Sequence, residues 1–261
     1  MDFETVILEQ SDDIATIRMN RPREMNTLNF ELVADLLKAL ETCWDDGSTK
    51  VVIITGSGKA FCAGGDVVAF RDAEDLGDTT RQMTKLFNPL ISGIRHIDKP
   101  VIAMVNGAAM GAGLSLAAAC DLRICAASAM FRQAYTSVGL VPDGAWSLFV
   151  PLLIGIGRAS GLVLLDPVLD AKKAYDIGLV NEVVDDEDLE KKTIEAAKRI
   201  VKGPLAAFSI AKENLNRSVL SALECQLEQE RLGMVKAGRT MDAREGIAAM
   251  LERRKPEFRG E

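Results

Sequence analysis

At 261 residues the chain is long for a single core but fits one domain with an appendage. Its net charge of −7 argues against a nucleic-acid or anionic-membrane partner, and with aromatics at 5% the core falls to Leu, Ile, Val, Ala and Met. The five cysteines are odd in number and lack CxxC metal spacing, which suits reduced thiols. Met1-Asp2-Phe3-Glu4 shows neither region of a signal peptide, so a cytoplasmic location is expected.

Thr5–Leu8 and Ile14–Met19 read as strands around a polar turn at Ser11-Asp12-Asp13. Asn29 can cap a helix in which Val33, Leu36, Leu37 and Leu40 recur at helical spacing. Val51–Ile54 is an all-apolar strand, expected to be buried on both faces, and Phe61–Val67 comes next as a Gly-rich loop. Arg71–Gly77 is charged and aperiodic and reads as a mobile segment. Val101–Val105 is the next strand, Gly111–Cys120 a helix of small residues, and Leu122–Ala126 a strand. Phe131–Val141 reads as extended or loop, Gly144–Leu153 and Arg158–Leu165 as short helices. Leu179–Val184 reads as a strand, with Asp185 or Asp186 capping the long helix after it. Helical patterns then cover Leu189–Val201, Pro204–Asn216, Leu220–Lys236 and Ala243–Arg254. The order is β/α units and then a helical tail.

Val101–Cys120 has the length and apolarity of a membrane span, but Asn106-Gly107, Gly111 and Gly113 interrupt it. A strand, a turn and a helix fit better. Two glycine-rich turns come after buried strands: Ala60-Phe61-Cys62-Ala63-Gly64-Gly65-Asp66 and Asn106-Gly107-Ala108-Ala109-Met110-Gly111-Ala112-Gly113. Small side chains let a ligand approach the backbone, and a helix starting at Gly111 presents unpaired N–H groups. Such donors polarise a carbonyl; tight helix–strand packing is the alternative use of the same glycines. Neither turn is a P-loop or a dinucleotide fingerprint.

Asp143 is the one acid between Asp121 and Asp166, and Lys99–Leu165 holds two acids where the chain average would put about ten. Val141-Pro142-Asp143-Gly144 is ordinary turn chemistry. A lone carboxylate in apolar sequence is also suited to proton transfer where it opens on a cavity.

Together these residues resemble the crotonase, or enoyl-CoA hydratase/isomerase, superfamily. The matching motifs are Asn20-Arg21-Pro22…Asn26, Ala60–Asp66, Lys99–Ala103…Asn106-Gly107, Gly111-Ala112-Gly113, Cys120-Asp121 and Gly139-Leu140…Pro142-Asp143-Gly144. Ala171…Ala174…Gly178-Leu179-Val180, Arg244-Glu245-Gly246 and Lys255–Phe258 complete them. The resemblance implies an α/β, crotonase-like spiral of ββα units over residues 1–200 with the acyl-CoA site. It implies a C-terminal helical trimerisation region over 201–261, in a homotrimer or homohexamer. It implies an acyl-CoA thioester substrate and no separate cofactor or metal, coenzyme A being part of the substrate. It places oxyanion-hole donors on the backbone of Cys62 and Ala112. CoA and acyl contacts fall on Arg23, Met25, Ala63, Gly64, Gly65, Asp66, Val67, Met110, Gly111, Tyr135, Val138, Pro142 and Trp146, and Phe258 is placed to reach a neighbouring subunit's CoA site.

The sequence departs from the hydratases at both of their glutamates, which fall here on Ser115 and Tyr135. Neither replaces a carboxylate as base near neutral pH, so hydration is expected to be severely impaired. Asp143 matches the catalytic acid of epoxyphenylacetyl-CoA and Δ3,Δ2-enoyl-CoA isomerases, and one carboxylate suffices to move a double bond. Burial beside Val138, Leu140 and Trp146 is expected to raise its pKa. Trp146 stands where a glycine is usual, and narrowing the acyl pocket, stacking on a ring and filling the core are its possible uses. Asp166-Pro167 replaces another customary glycine. Rival readings are an acyl-CoA hydrolase, a divergent hydratase, a dehalogenase-like nucleophile, and a non-catalytic acyl-CoA-binding protein. His96 reads as a lone surface residue, and Cys62 as a poor nucleophile. The single lysine of the 30–44 helix, Lys38, disfavours RNA binding.

Overall fold

The computed structural model describes residues 3–71, 73–219 and 222–261. β1 (Val6–Ser11) and β2 (Ile14–Met19) form a hairpin whose loop residues Asp12 and Asp13 take φ of 53° and 66°. That left-handed pair matches the twist of antiparallel strands. Asn29 caps α1 (Phe30–Asp45), its Oδ1 accepting the Leu32 N–H at 2.8 Å.

A repeating pattern then begins. β3 (Val51–Gly56), β4 (Ala60–Cys62), α2 (Val67–Arg71) and α3 (Leu76–His96) make its first turn. β5 (Val101–Val105), β6 (Ala108–Met110) and α4 (Ala112–Ala119) make the second. β7 (Leu122–Ala126), β8 (Met130–Arg132), α5 (Trp146–Ile154) and α6 (Ile156–Leu165) make the third. β9 (Leu169–Asp170), α7 (Ala171–Asp176), β10 (Glu182–Val184) and α8 (Leu189–Val201) close the core. In each turn the first strand enters a six-stranded sheet, order β1-β2-β3-β5-β7-β10, and the second a four-stranded sheet, order β4-β6-β8-β9. All pairings are parallel except β1 with β2 and β8 with β9. This is the expected spiral of ββα units.

The central strands β3 and β5 are buried on both faces, which is why β5 is apolar throughout and β3 nearly so. Val52 and Ile54 face the main core, while Val51, Ile53, Ile102 and Met104 pack under Leu189 and Ala197 of α8. Each such aliphatic side chain contributes roughly 1.5–3 kcal/mol of transfer free energy. Val101–Cys120 resolves into β5, β6 and α4. Among the described residues no helix is long and apolar enough to cross a membrane.

Several local expectations need correction. The longest helix, α3, is absent from the elements expected from sequence, although Leu76, Thr80, Met83, Phe87, Leu90, Ile91 and Ile94 form its buried stripe. Pro89 inside it and a polar first turn mask the periodicity. Arg71–Gly77, read as mobile, contains the end of α2 and the start of α3; Asp72 lies outside the described residues, as do Met1, Asp2, Leu220 and Ser221. The four-stranded sheet is also missing from those elements, because strands of two or three residues carry no period. Only Glu182–Val184 of the strand expected from Leu179 pairs. Neither Asp185 nor Asp186 caps α8: a short 3-10 turn over Asp186–Asp188 intervenes, and Asp186 accepts the Ser128 N–H instead.

Among the described residues three α-helices follow: α9 (Leu205–Val219), α10 (Leu223–Gly238) and α11 (Met241–Glu252). α10 lies along α3, and α11 packs on α2 and on the 3-10 turn Thr136–Val138. The last two helices thus roof the core that precedes them.

Candidate active site

The two glycine-rich turns converge. A Cβ on Gly113 would lie 2.1 Å from the Cys62 carbonyl oxygen, and one on Gly64 3.1 Å from that of Met110. The backbone of β4 therefore lies directly against the first turn of α4. Gly111, at φ 53°, offers no side chain to cap α4, and as first residue Ala112 has no hydrogen-bond partner within the helix. A cavity opens where Gly64, Gly65, Gly111 and Ala112 meet.

The rest of its wall is apolar. Phe87 and Met83 come from α3, Val138 and Leu140 from the loop after β8, and Met234 and Met250 from α10 and α11. Asp143 is the one carboxylate among the described residues of that lining. It is 7% exposed. Its Oδ1 accepts the Tyr135 hydroxyl at 2.6 Å, and Ser115 Oγ donates to its backbone carbonyl at 2.7 Å. Ser115 Oγ and Tyr135 Oη lie 2.9 Å apart. The Ser115 and Tyr135 side chains thus join each other and support Asp143. Among the described residues no other side chain bonds the carboxylate, on which its own backbone N–H also bears.

Burial pushes the Asp143 carboxyl up from 3.8 to about 6, against the lowering effect of the Tyr135 hydroxyl. Burial and the neighbouring Asp143 charge hold the Tyr135 phenol well above its ordinary range, so it stays a neutral donor. Cys62 is fully buried and its thiol is pushed up to about 12 by burial, which leaves little thiolate for nucleophilic chemistry.

The other expected contacts divide. Ala63, Gly64, Gly65, Val67, Gly111, Ala112, Tyr135, Val138 and Asp143 line the cavity together. Cys62, Met110 and Pro142 sit behind or beside the lining, each next in sequence to a lining residue. Arg23 and Met25 occupy the 3-10 turn after β2 and its left-handed end, and Met25 is 47% exposed. Asp66 is engaged by Arg21 at 3.1 Å, a fold contact. Trp146 needs correction: it is 1% exposed, belongs to the main core and does not line the cavity. Of its possible uses, filling the core is the one observed. Phe258 is 44% exposed near the chain end. His96 is exposed at the end of α3, its ring bonded to the Ser92 carbonyl.

Asp166, where the resemblance sets a glycine, does more than end a helix. It adopts φ 44° at the end of α6, its carboxylate accepts the Ala134 N–H at 3.0 Å, and it pairs with Arg132 at 2.7 Å. Asp tolerates that conformation better than most residues.

One buried carboxylate is not among the residues expected from sequence. Glu230 of α10 accepts the Ala145 N–H at 2.6 Å, the Ser147 N–H at 2.8 Å and the Ser147 hydroxyl. The signal was present: Leu223, Leu227, Glu230 and Met234 share the buried stripe of α10, so this Glu stands in an apolar row.

The family model described as "Enoyl-CoA hydratase/isomerase" matches residues 9–261. A Rhodobacter capsulatus protein named "Probable enoyl-CoA hydratase" is 36% identical, covering 100% of both chains. The "1,2-epoxyphenylacetyl-CoA isomerase" of Escherichia coli is 34% identical over 99% of each. The crystal structure of an enoyl-CoA hydratase from Mycobacterium avium subsp. paratuberculosis K-10 superposes with a TM-score of 0.91 at 30% identity, covering 99% of this chain and 100% of that one.

Proposed function

The chain belongs to the enoyl-CoA hydratase/isomerase family, and we propose that within it this protein shifts a double bond, or isomerises a related ring acyl-CoA, by proton transfer on one carboxylate. The observation that carries this reading is that Asp143 is the one carboxylate of the described cavity lining, with Ser115 and Tyr135 at the hydratase glutamate positions bonded to it. Hydration needs one group to activate water and another to protonate carbon, whereas a double-bond shift needs one group that takes a proton and gives it back.

In this reading the thioester carbonyl sits between the N–H groups of Cys62 and Ala112. Asp143 Oδ2 removes a proton from C2 or C4, and negative charge develops on the thioester oxygen, where the two N–H donors stabilise it. Protonated Asp143 then delivers the proton to the other carbon. Tyr135 keeps the carboxylate oriented through Oδ1 throughout. The CoA moiety lies along Ala63–Val67, with Arg23 and Met25 at its adenine end.

Related hydratases and a related isomerase are both at hand, so the test must separate the two. Wild type and Asp143→Asn are assayed on 3-enoyl-, dienoyl-, aryl-epoxide- and 2-enoyl-CoA thioesters. The expected result is isomerisation by wild type, slowed roughly 10²–10⁴-fold in Asp143→Asn. Hydration of the 2-enoyl thioester as the dominant activity, hydrolysis to free CoA, or binding without turnover would each replace this reading by the corresponding alternative.

A further inference from the structure

The turn that presents Asp143 is strained and is held from outside. Gly144 and Ala145 come directly after it with φ of 65° and 59°. A Cβ on Gly144 would come within 2.4 Å of the Phe87 ring, so glycine is required there. Ala145 is not a residue that favours this conformation, which costs roughly 1–2 kcal/mol. It is also the N-cap of α5 and has no side chain able to cap it. Glu230 supplies what is missing, from 85 residues further along the chain: it takes the N–H groups of Ala145 and Ser147 and the Ser147 hydroxyl. Gln226, one turn earlier on α10, donates to the same hydroxyl at 2.7 Å.

We propose that Glu230 is a positioning residue for Asp143: its carboxylate clamps the start of α5, holds the left-handed Gly144–Ala145 pair, and thereby sets the place of the Asp143 side chain in the cavity. The link to proton transfer rests on the one-carboxylate reading, while the clamp itself is independent of the reaction catalysed. Glu230 does not line the cavity, so it acts through the turn and through space.

The charged groups in this layer are few. Glu230 is 6% exposed, and its bonded partners are neutral. Burial, with the Asp143 charge adding to it, raises Glu230 to about 7, and the Glu230 charge in turn helps raise Tyr135. Among the described residues no charged side chain of α3 or α11, the other helices packed on α10, bonds to it. Both carboxylates are raised by burial, and the clamp, which accepts three hydrogen bonds, is strongest when Glu230 is ionised.

The test compares wild type, Glu230→Gln, Glu230→Asp and Asp143→Asn. Glu230→Gln keeps the volume but sets an amide donor against N–H donors. On the activity found in the substrate panel, kcat should fall at least about tenfold while KM changes less than about threefold. The wild-type rate should climb in two steps between roughly pH 5 and 8; Glu230→Gln should show one, and Glu230→Asp should recover the second in part. Carboxyl titration by ¹³C NMR gives an arm that needs no turnover: the Glu230 signal should titrate lower in Asp143→Asn. Loss of thermal stability alone, with kcat, the two-step profile and the Glu230 titration unmoved, overturns the proposal. If wild type turns over no thioester, the isomerase reading fails while the titration still decides whether Glu230 and Asp143 are linked.

Discussion

Asp143 is unfavourable to the folded state when ionised, and this fixes the sign of its pH dependence. Its carboxyl is raised from 3.8 to about 6 in the folded chain, so between those values the folded state holds the proton that the unfolded chain releases. Stability from this group is therefore lost as pH rises through that window and levels off above about 6. The size is roughly 3 kcal/mol. Asp143→Asn keeps an acceptor for the Tyr135 hydroxyl and removes the buried charge. It should raise Tm on the order of 5–10 °C at pH 8 and by little at pH 4, measured by thermal melts across that range. A variant that loses activity and gains stability is the mark of a carboxylate kept for chemistry. An Asn variant that melts lower than wild type at pH 8 would mean the carboxylate's own hydrogen bonds outweigh its burial. At this scale Asp143 was legible because an acid in a long apolar stretch needs a reason. Glu230 was less so, because Gln-Leu-Glu-Gln-Glu-Arg reads as a solvated helix until the buried face of α10 is known.

At the scale of elements the decisive contact is α4 against β4. Gly113 has to be glycine because a methyl group would overlap the Cys62 carbonyl, at 2.1 Å, and its carbon, at 2.8 Å. Both clashes are with backbone, which cannot rotate away. Gly113→Ala should lower stability by at least about 1–3 kcal/mol, and it should lower kcat more than tenfold by separating the Cys62 and Ala112 N–H groups. Circular-dichroism melts and steady-state rates check both; unchanged kcat would mean that the pair does not act on the substrate. The glycines themselves were visible in the sequence, with two uses open for them. The structure shows tight packing and a cavity at the same place, so the packing is compatible with the other use. The four-stranded sheet that aligns these turns was not visible. Its strands are too short for alternation to show, and they exist because successive spiral turns stack.

At the scale of the molecule, α10 and α11 do more than extend the core. Met234, Met250 and Glu230 bring them to the cavity wall and to the Asp143 turn. Elsewhere the surface carries large exposed aliphatics: Ile156 at 73%, Leu164 at 81% and Leu165 at 80% on α6, with Leu152 at 56% on α5. These exposed aliphatics are where a contact with a second copy would be tested. With the trimer or hexamer implied by the resemblance, light scattering at micromolar concentration should give three or six times 28.2 kDa. Leu164→Glu with Leu165→Glu should reduce that mass, and a wild-type monomer would reject the assembly.

What the sequence determined by itself is what neighbouring residues decide. The central strands β3 and β5 appear as apolar runs, α1 begins at its Asn29 cap, and the two small-residue turns and the isolated Asp143 stand out in their own segments. What only the tertiary structure decided depends on contacts far apart in the chain. Trp146 turns into the core and not toward the cavity, Ser115 and Tyr135 join on Asp143, and Glu230 reaches back to hold a turn that cannot hold itself. Burial, and with it the proton affinity of a carboxylate, is a property of the packed whole, and no local pattern states it.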